Sequence, residues 1–157
     1  MATEQHFVDL MTELAADIAD RPLNDNLADY LNDRYGPDTE RFRAIETACR
    51  QGIEAGWLAN REASPQLRFS RPVKPGEATH GFSVDVVQMD DLVGPHHRHP
   101  NGEIDMIMPV DRDAQFDGKG KGWLVYGPDT SHHPTVTNGT AIILYLLPDG
   151  AIEFTKQ

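Results

Sequence analysis

A small β-barrel or sandwich preceded by a helical segment is the architecture this sequence predicts, and three observations lead there. Apolar residues in the first sixty positions recur at spacings of three and four, the period of a helix with one buried stripe. After Ser64-Pro65 the chain changes to short alternating runs punctuated by turn residues, as in sandwiches and barrels. The 157 residues, 39% hydrophobic and 25% charged, suit one globular domain that can bury a sizeable core without disulfides. The expected division is a helical segment over 1–62 and a barrel over 63–157, with the helices packing on the barrel or on a second subunit, which leaves a homodimer open.

The helical elements follow in order. Phe7, Leu10, Met11, Leu14 and Ile18 form the first stripe, ended by Arg21-Pro22 because the residue before proline disfavours the helical region. Leu27, Tyr30 and Leu31 mark a shorter helix stopped at Gly36-Pro37. Asp38 is the expected cap of a third, whose stripe runs through Phe42, Ile45, Cys49 and Ile53 to Trp57. Strands are expected over Gly81 to Met89, Glu103 to Val110, Gly122 to Tyr126, Ala141 to Leu147 and Ala151 to Thr155. Gly118-Lys119-Gly120-Lys121-Gly122 reads as a flexible turn, since neither the Gly-Lys-Ser/Thr ending of a phosphate loop nor a following helix is present.

Charge and composition exclude several function classes. A net charge of −11 argues against nucleic acid or an anionic membrane surface as partner. The longest apolar run, Ala141 to Leu147, is far short of the roughly 20 residues that span a bilayer. The first residues lack a basic segment followed by an apolar one, so no secretory signal is expected. The single cysteine, Cys49, falls on a helical stripe and reads as a buried thiol in a reducing cytoplasm. No nicotinamide or flavin fingerprint is present.

Five of the seven histidines lie between positions 96 and 133, which is where chemistry is to be sought. In Gly94-Pro95-His96-His97-Arg98-His99-Pro100-Asn101-Gly102-Glu103, His97 and His99 are two apart and point to one side of an extended chain. The Pro-Asn-Gly turn can bring the Glu103 carboxylate back to the same point. Two imidazoles and a carboxylate suit a divalent first-row metal. A fourth ligand is expected from Ser131-His132-His133-Pro134. Formal spacing favours His133, whereas strand parity favours His132, which shares a face with Pro134 and Val136; the reading leans to His132. His96 and Arg98 have the wrong parity, and Arg98 is expected in a structural ion pair.

These residues resemble the two motifs of the cupin superfamily. His97, His99 and Glu103 match the offsets of Gly-x5-His-x-His-x3–4-Glu-x6-Gly, although Gly94 is too close and Val110 stands at the closing glycine. Gly122, Pro128 and His133 match those of Gly-x5-Pro-x-Gly-x2-His-x3-Asn, with Thr130 in the glycine place and Asn138 one residue late. The resemblance implies a small cupin-type β-barrel (double-stranded β-helix) holding one divalent metal ion, with Fe, Mn and Zn not distinguished. The helical N-terminal part, the stretch His97 to Ile104, His132-x-Pro134-Thr135-Val136, and Leu144-Tyr145-Leu146-Leu147-Pro148-x-Gly150-Ala151-Ile152-Glu153-Phe154 together resemble the 4-hydroxylaminobenzoate lyase family. That resemblance implies conversion of 4-hydroxylaminobenzoate to 3,4-dihydroxybenzoate and ammonia during nitroaromatic degradation.

A small aromatic carboxylate would need a cation, and Arg71 is the candidate among Arg68, Arg71 and Lys74. Tyr126 is a second candidate for contact with substrate, although Tyr126 and Tyr145 both have the ordinary reading of core aromatics. His80 and Asp85 are candidates to orient a ligand or move a proton, and Met106 and Met108 read as core. Two rival readings stay open: another metal-dependent cupin enzyme, a dioxygenase or isomerase, and a non-enzymatic metal-dependent binding module.

Overall fold

A computed structural model describes residues 2–155. Its helices are α1 (Glu4–Ile18), α2 (Asp25–Arg34) and α3 (Glu40–Ala55). Each begins where a short polar side chain satisfies an otherwise free backbone N–H: Thr3 accepts from His6, Asn24 from Leu27 and Thr39 from Phe42. The cap of α3 is therefore Thr39, one residue past the expected Asp38. Pro22 has no N–H to donate to Ile18, so α1 closes there with Arg21 N–H bonded to the Ile18 carbonyl at 3.0 Å. α3 stops at Gly56, whose φ of 90° only glycine adopts cheaply, and its N–H closes on the Gly52 and Ile53 carbonyls. Trp57 then folds back onto Gly52 instead of extending the helix.

Ten strands follow: β1 (Arg61–Ser64), β2 (Leu67–Val73), β3 (Phe82–Val93), β4 (His97–His99), β5 (Glu103–Pro109), β6 (Gln115–Phe116), β7 (Gly122–Tyr126), β8 (Thr130–His132), β9 (Thr135–Pro148) and β10 (Glu153–Phe154). They form an antiparallel sheet in the order β1-β2-β3-β9-β5-β7, with β6 on the first part of β9, and a smaller sheet β10-β4-β8. The expected strands are all present, Gly122–Tyr126 with its expected bounds and the others with shifted ends. β2 was not expected, so Arg68 and Arg71 lie within a strand rather than before the first one. β9 starts six residues before the apolar run, since only the run from Ala141 is buried on both faces. The earlier part bends away at Asn138 (φ 64°) and Gly139 (φ 122°), opposite a register shift in β3.

The large sheet has two different faces. Val84, Val86, Ile104, Met106, Met108, Ile142, Leu144 and Leu146 point outward and share one apolar core with Phe7, Met11, Leu14, Ile18, Leu31 and Phe42 of the helices. The alternate residues Met89, Ile107, Ala141, Ile143, Tyr145 and Leu147 point inward and form a second cluster with Phe116 and Val136. The helices thus cover the outside of the barrel, as one of the two expected arrangements required. β1 opens at Arg61, two residues inside the segment expected to be helical; Met1, Lys156 and Gln157, which the expected boundaries include, lie outside the described residues. At the sheet edge, the Asn32 side chain of α2 accepts from Trp123 N–H (3.0 Å) and donates to the Trp123 carbonyl (3.1 Å), pairing an edge strand that would otherwise be open. Among the described residues no helix is long and apolar enough to cross a membrane.

Candidate metal centre

The small sheet and the large one meet at a cluster of imidazoles. β4 carries His97 and His99 on one side, and β8 pairs antiparallel with it so that His97 faces His132 in register. Glu103 opens β5 after the Pro100-Asn101-Gly102 turn. Gly102 has φ 92°, and a Cβ there would sit 2.7 Å from both a Leu23 methyl and the Tyr126 carbonyl, so this turn requires glycine. One ligand atom from each of His97, His99, Glu103 and His132 lies within 4.8 Å of all the others. His97 Nε2 is 2.8 Å from His99 Nε2 and 3.0 Å from His132 Nε2, and Glu103 Oε2 is 3.3 Å from His99 Nε2.

The hydrogen bonds around the cluster assign its tautomers. The Thr130 hydroxyl donates to the Gly127 carbonyl at 2.7 Å, so it accepts from His99 Nδ1–H at 2.9 Å. Asp117 accepts from His132 Nδ1–H at 2.6 Å, and also from the Tyr126 hydroxyl (2.5 Å) and Thr135 N–H (2.9 Å). Both rings therefore turn a bare Nε2 lone pair inward. At most one proton, on His97, is left to share among three converging nitrogens. Both oxygens of the fully buried Glu103 also lack a hydrogen-bond partner. Converging lone pairs and an orphaned buried carboxylate are costly alone and are resolved together by a cation, so the donor set fits one divalent ion.

Electrostatics sharpen the division of labour. Burial pushes the Glu103 carboxyl up, but the facing imidazoles of His97 and then His99 outweigh it and hold the group below its ordinary value, in the ionised form. Asp105, two residues on and on the same inward face, is fully buried; burial and then the neighbouring Glu103 charge push it well up, which favours the neutral acid. Burial would also raise Asp117, yet the bonds from His132 and Tyr126 hold it below its ordinary value.

A cavity of about 680 Å³ opens beside the cluster, reached through His97 and walled by Trp57, Phe69, Arg71, Asp85, Tyr145 and Phe154 among others. Arg71 lines it while bonded bidentately to Asp85, Nε–Oδ1 at 2.7 Å and an Nη to Oδ2 at 3.1 Å. Tyr126 does not line this cavity: its ring lies behind the cluster, 4.6 Å from the His132 ring, and its hydroxyl is taken by Asp117. His133 stays outside the cluster, its Nδ1 3.2 Å from the Gly94 carbonyl and its ring against His96. His96 itself contacts the Thr155 hydroxyl. Arg98 pairs with Glu153 and Asp129 on the opposite side of β4, as parity required. His80 ends a short 3-10 turn in the left-handed region and is exposed. Met106, Met108 and Cys49 are buried in the outer core, where burial pushes the Cys49 thiol far up.

Sequence reasoning missed three supporting residues. Asp105 had a signal, since the two-residue period places it on the face of Glu103. Asp117 and Thr130 had none, because each finds its histidine across a strand pairing or turn that no local pattern encodes.

Fold and donor set together define a small cupin-type barrel with a candidate centre for one divalent ion. A family model described as PnbB, 4-hydroxylaminobenzoate lyase, matches residues 9–154. The chain belongs to the 4-hydroxylaminobenzoate lyase family. It is 34% identical to a 4-hydroxylaminobenzoate lyase of Pseudomonas putida, covering 100% of this chain and 98% of the relative. It is 33% identical to one from Nocardioides sp. (strain LMS-CY), covering 98% and 96%. Among solved structures it is similar to the DMSP lyase DddQ from Ruegeria pomeroyi DSS-3, with 19% identity, 98% of both chains covered and a TM-score of 0.47.

Proposed function

We propose that this protein is a metal-dependent lyase that converts 4-hydroxylaminobenzoate and water into 3,4-dihydroxybenzoate and ammonia. Family membership over nearly the whole chain supports the substrate. The observation that carries the metal dependence is the inward-facing set of His97, His99, Glu103 and His132, whose unsatisfied lone pairs open through His97 onto an aromatic-walled cavity. All four donors come from one chain.

These four residues would hold the ion, which supplies Lewis-acid polarisation of a substrate oxygen. The protein's part is to position and to exclude water. Trp57, Phe69 and Phe154 offer aromatic surface to a planar ring. Arg61, Arg71 and Lys74 line the cavity against a single carboxylate, Asp85, so an acidic chain presents a cationic wall here. Arg71 is the proposed partner of the substrate carboxylate, held in orientation by Asp85. Tyr126 acts through Asp117 on His132 rather than on substrate. The cytoplasm suits an unpaired buried thiol such as Cys49.

The test is turnover of 4-hydroxylaminobenzoate by purified protein, with chelator and after return of individual divalent metals, alongside elemental analysis. Product and ammonia should appear together, stop with chelation and return with metal. Full turnover by verified metal-free protein defeats the metal dependence. Oxygen uptake coupled to turnover would move the protein to the dioxygenases.

A further inference from the structure

The chain has four tyrosines, and three of them spend their hydroxyl on a carboxylate: Tyr30 and Tyr35 donate to Asp17, at 2.8 and 2.9 Å, and Tyr126 to Asp117 at 2.5 Å. Tyr145 is different. It is only 7% exposed, and among the described residues its hydroxyl forms no hydrogen bond. A phenol so placed normally finds a partner within the protein, whereas this hydroxyl, which is not among the side-chain oxygens sealed from solvent, is left to the open space of the cavity. Tyr145 sits on the inward face of β9, lines the same cavity as His97, and packs on Phe116 (6.2 Å), whose ring in turn meets His132 (6.1 Å). Asp85 and Asp105 stand opposite it on the two adjoining strands. Asp85 is occupied by Arg71, and Asp105 is not among the residues that line the cavity, which leaves Tyr145 as the neutral hydroxyl of the cavity wall that no group of the described chain engages.

We infer that Tyr145 is a catalytic residue, the group that gives its proton to the departing hydroxyl of the substrate. The assignment rests on the lyase reading above. The N–O bond breaks with its electron pair going to oxygen; that oxygen takes the Tyr145 proton and leaves as water. The cation left behind is spread over nitrogen and ring. A second water adds at the ring carbon beside the nitrogen-bearing one and gives up a proton, which restores Tyr145. A third water hydrolyses the resulting C=N bond, ammonia leaves, and the ring regains aromaticity as the diol. The sum is substrate plus water giving diol and ammonia, with no external oxidant or reductant. Burial, and then the charges of Glu103, Asp105, Asp117 and Asp85, keep the phenol protonated until that moment.

The experiment compares wild type with Tyr145→Phe, both loaded with metal, on 4-hydroxylaminobenzoate and on its O-acetyl derivative, whose acetate leaving group needs no proton. The variant removes an oxygen that bonds to nothing, so its unfolding temperature should equal or exceed that of wild type. Its kcat on the hydroxylamine should fall about 10²- to 10⁴-fold, the usual reach of a general acid, with KM and metal content unchanged. On the O-acetyl derivative, above the spontaneous rate, the two proteins should be alike. A variant within about threefold of wild type on the hydroxylamine, or equally impaired on both compounds, overturns the assignment alone. An inactive metal-loaded wild type overturns the lyase reading and the assignment with it.

Discussion

The two faces of the large sheet are built from the same strands and follow opposite rules. Outward, β3, β5 and β9 present Val84, Val86, Ile104, Met106, Ile142, Leu144 and Leu146 to three helices, and every group there is apolar and packed. Inward, the alternate positions of β3 and β5 carry Ser83, Glu103 and Asp105, all buried and all with oxygens that bond to nothing in the chain. A sheet that were only a scaffold would have no reason to hold such groups, each costing on the order of 1–3 kcal/mol to leave unsatisfied. The outer face therefore supplies the stability, and the inner face spends some of it on buried oxygens without partners, of which those of Glu103 belong to the candidate metal centre. A period of two lets both programmes share one strand without interfering.

The comparison breaks first, and most completely, at Glu103. Glu103→Gln should abolish metal uptake and reduce turnover by at least about 10³-fold, while metal-free protein is no less stable than wild type, since a buried uncompensated carboxylate has been removed. Metal titration followed by thermal melts measures both, and a strongly destabilised metal-free variant would contradict the assignment of this face to function. Leu144→Ala on the outer face should show the reverse: a loss of about 2–5 kcal/mol in denaturant unfolding, with metal content per folded molecule unchanged. Asp117→Asn is intermediate. It keeps the shape but weakens the hold on His132 Nδ1, and should lower metal affinity about 10- to 100-fold in competition with a chromophoric chelator.

The smallest effect lies within the helical layer, at Asp17. Burial alone would raise its carboxyl, but the Tyr30 and Tyr35 hydroxyls donating to it hold it below the ordinary value of 3.8. The folded state thus binds fewer protons than the unfolded chain near that pH, and the stability contributed is present at neutral pH and fades as pH falls through the folded value. Asp17→Asn should cost a little at pH 7 and nothing once wild-type Asp17 is protonated; a difference independent of pH would remove the charge from the explanation.

Much of this was legible locally. The stripe of Phe7, Met11, Leu14 and Ile18 is a helix face because a 3.6-residue period leaves no other way to bury all four. His97, His99 and Glu103 are readable as candidate ligands because alternation and a glycine turn act over a few residues. Parity also favoured His132 over His133, and β8 does turn His132 to the cluster while His133 goes to Gly94. Motif spacing pointed to His133 because it counts residues without regard to which side of the strand they occupy. β2 went unrecognised because Arg68, Ser70, Arg71 and Pro72 interrupt its apolar pattern, and its pairing with β3 supplies what its own residues do not.

Residue types, periods and turns were enough to name the layers, three of the four candidate ligands and the family, since each depends on neighbours a few positions away. The Asp117–His132 bond, the Thr130–His99 bond, the Arg71–Asp85 pair and the idle hydroxyl of Tyr145 had to await the folded chain. Each joins residues or leaves one unjoined across strands whose register is set by packing of the entire barrel, and a hydrogen bond reaches only about 3 Å, so no run of sequence can report whether it is made.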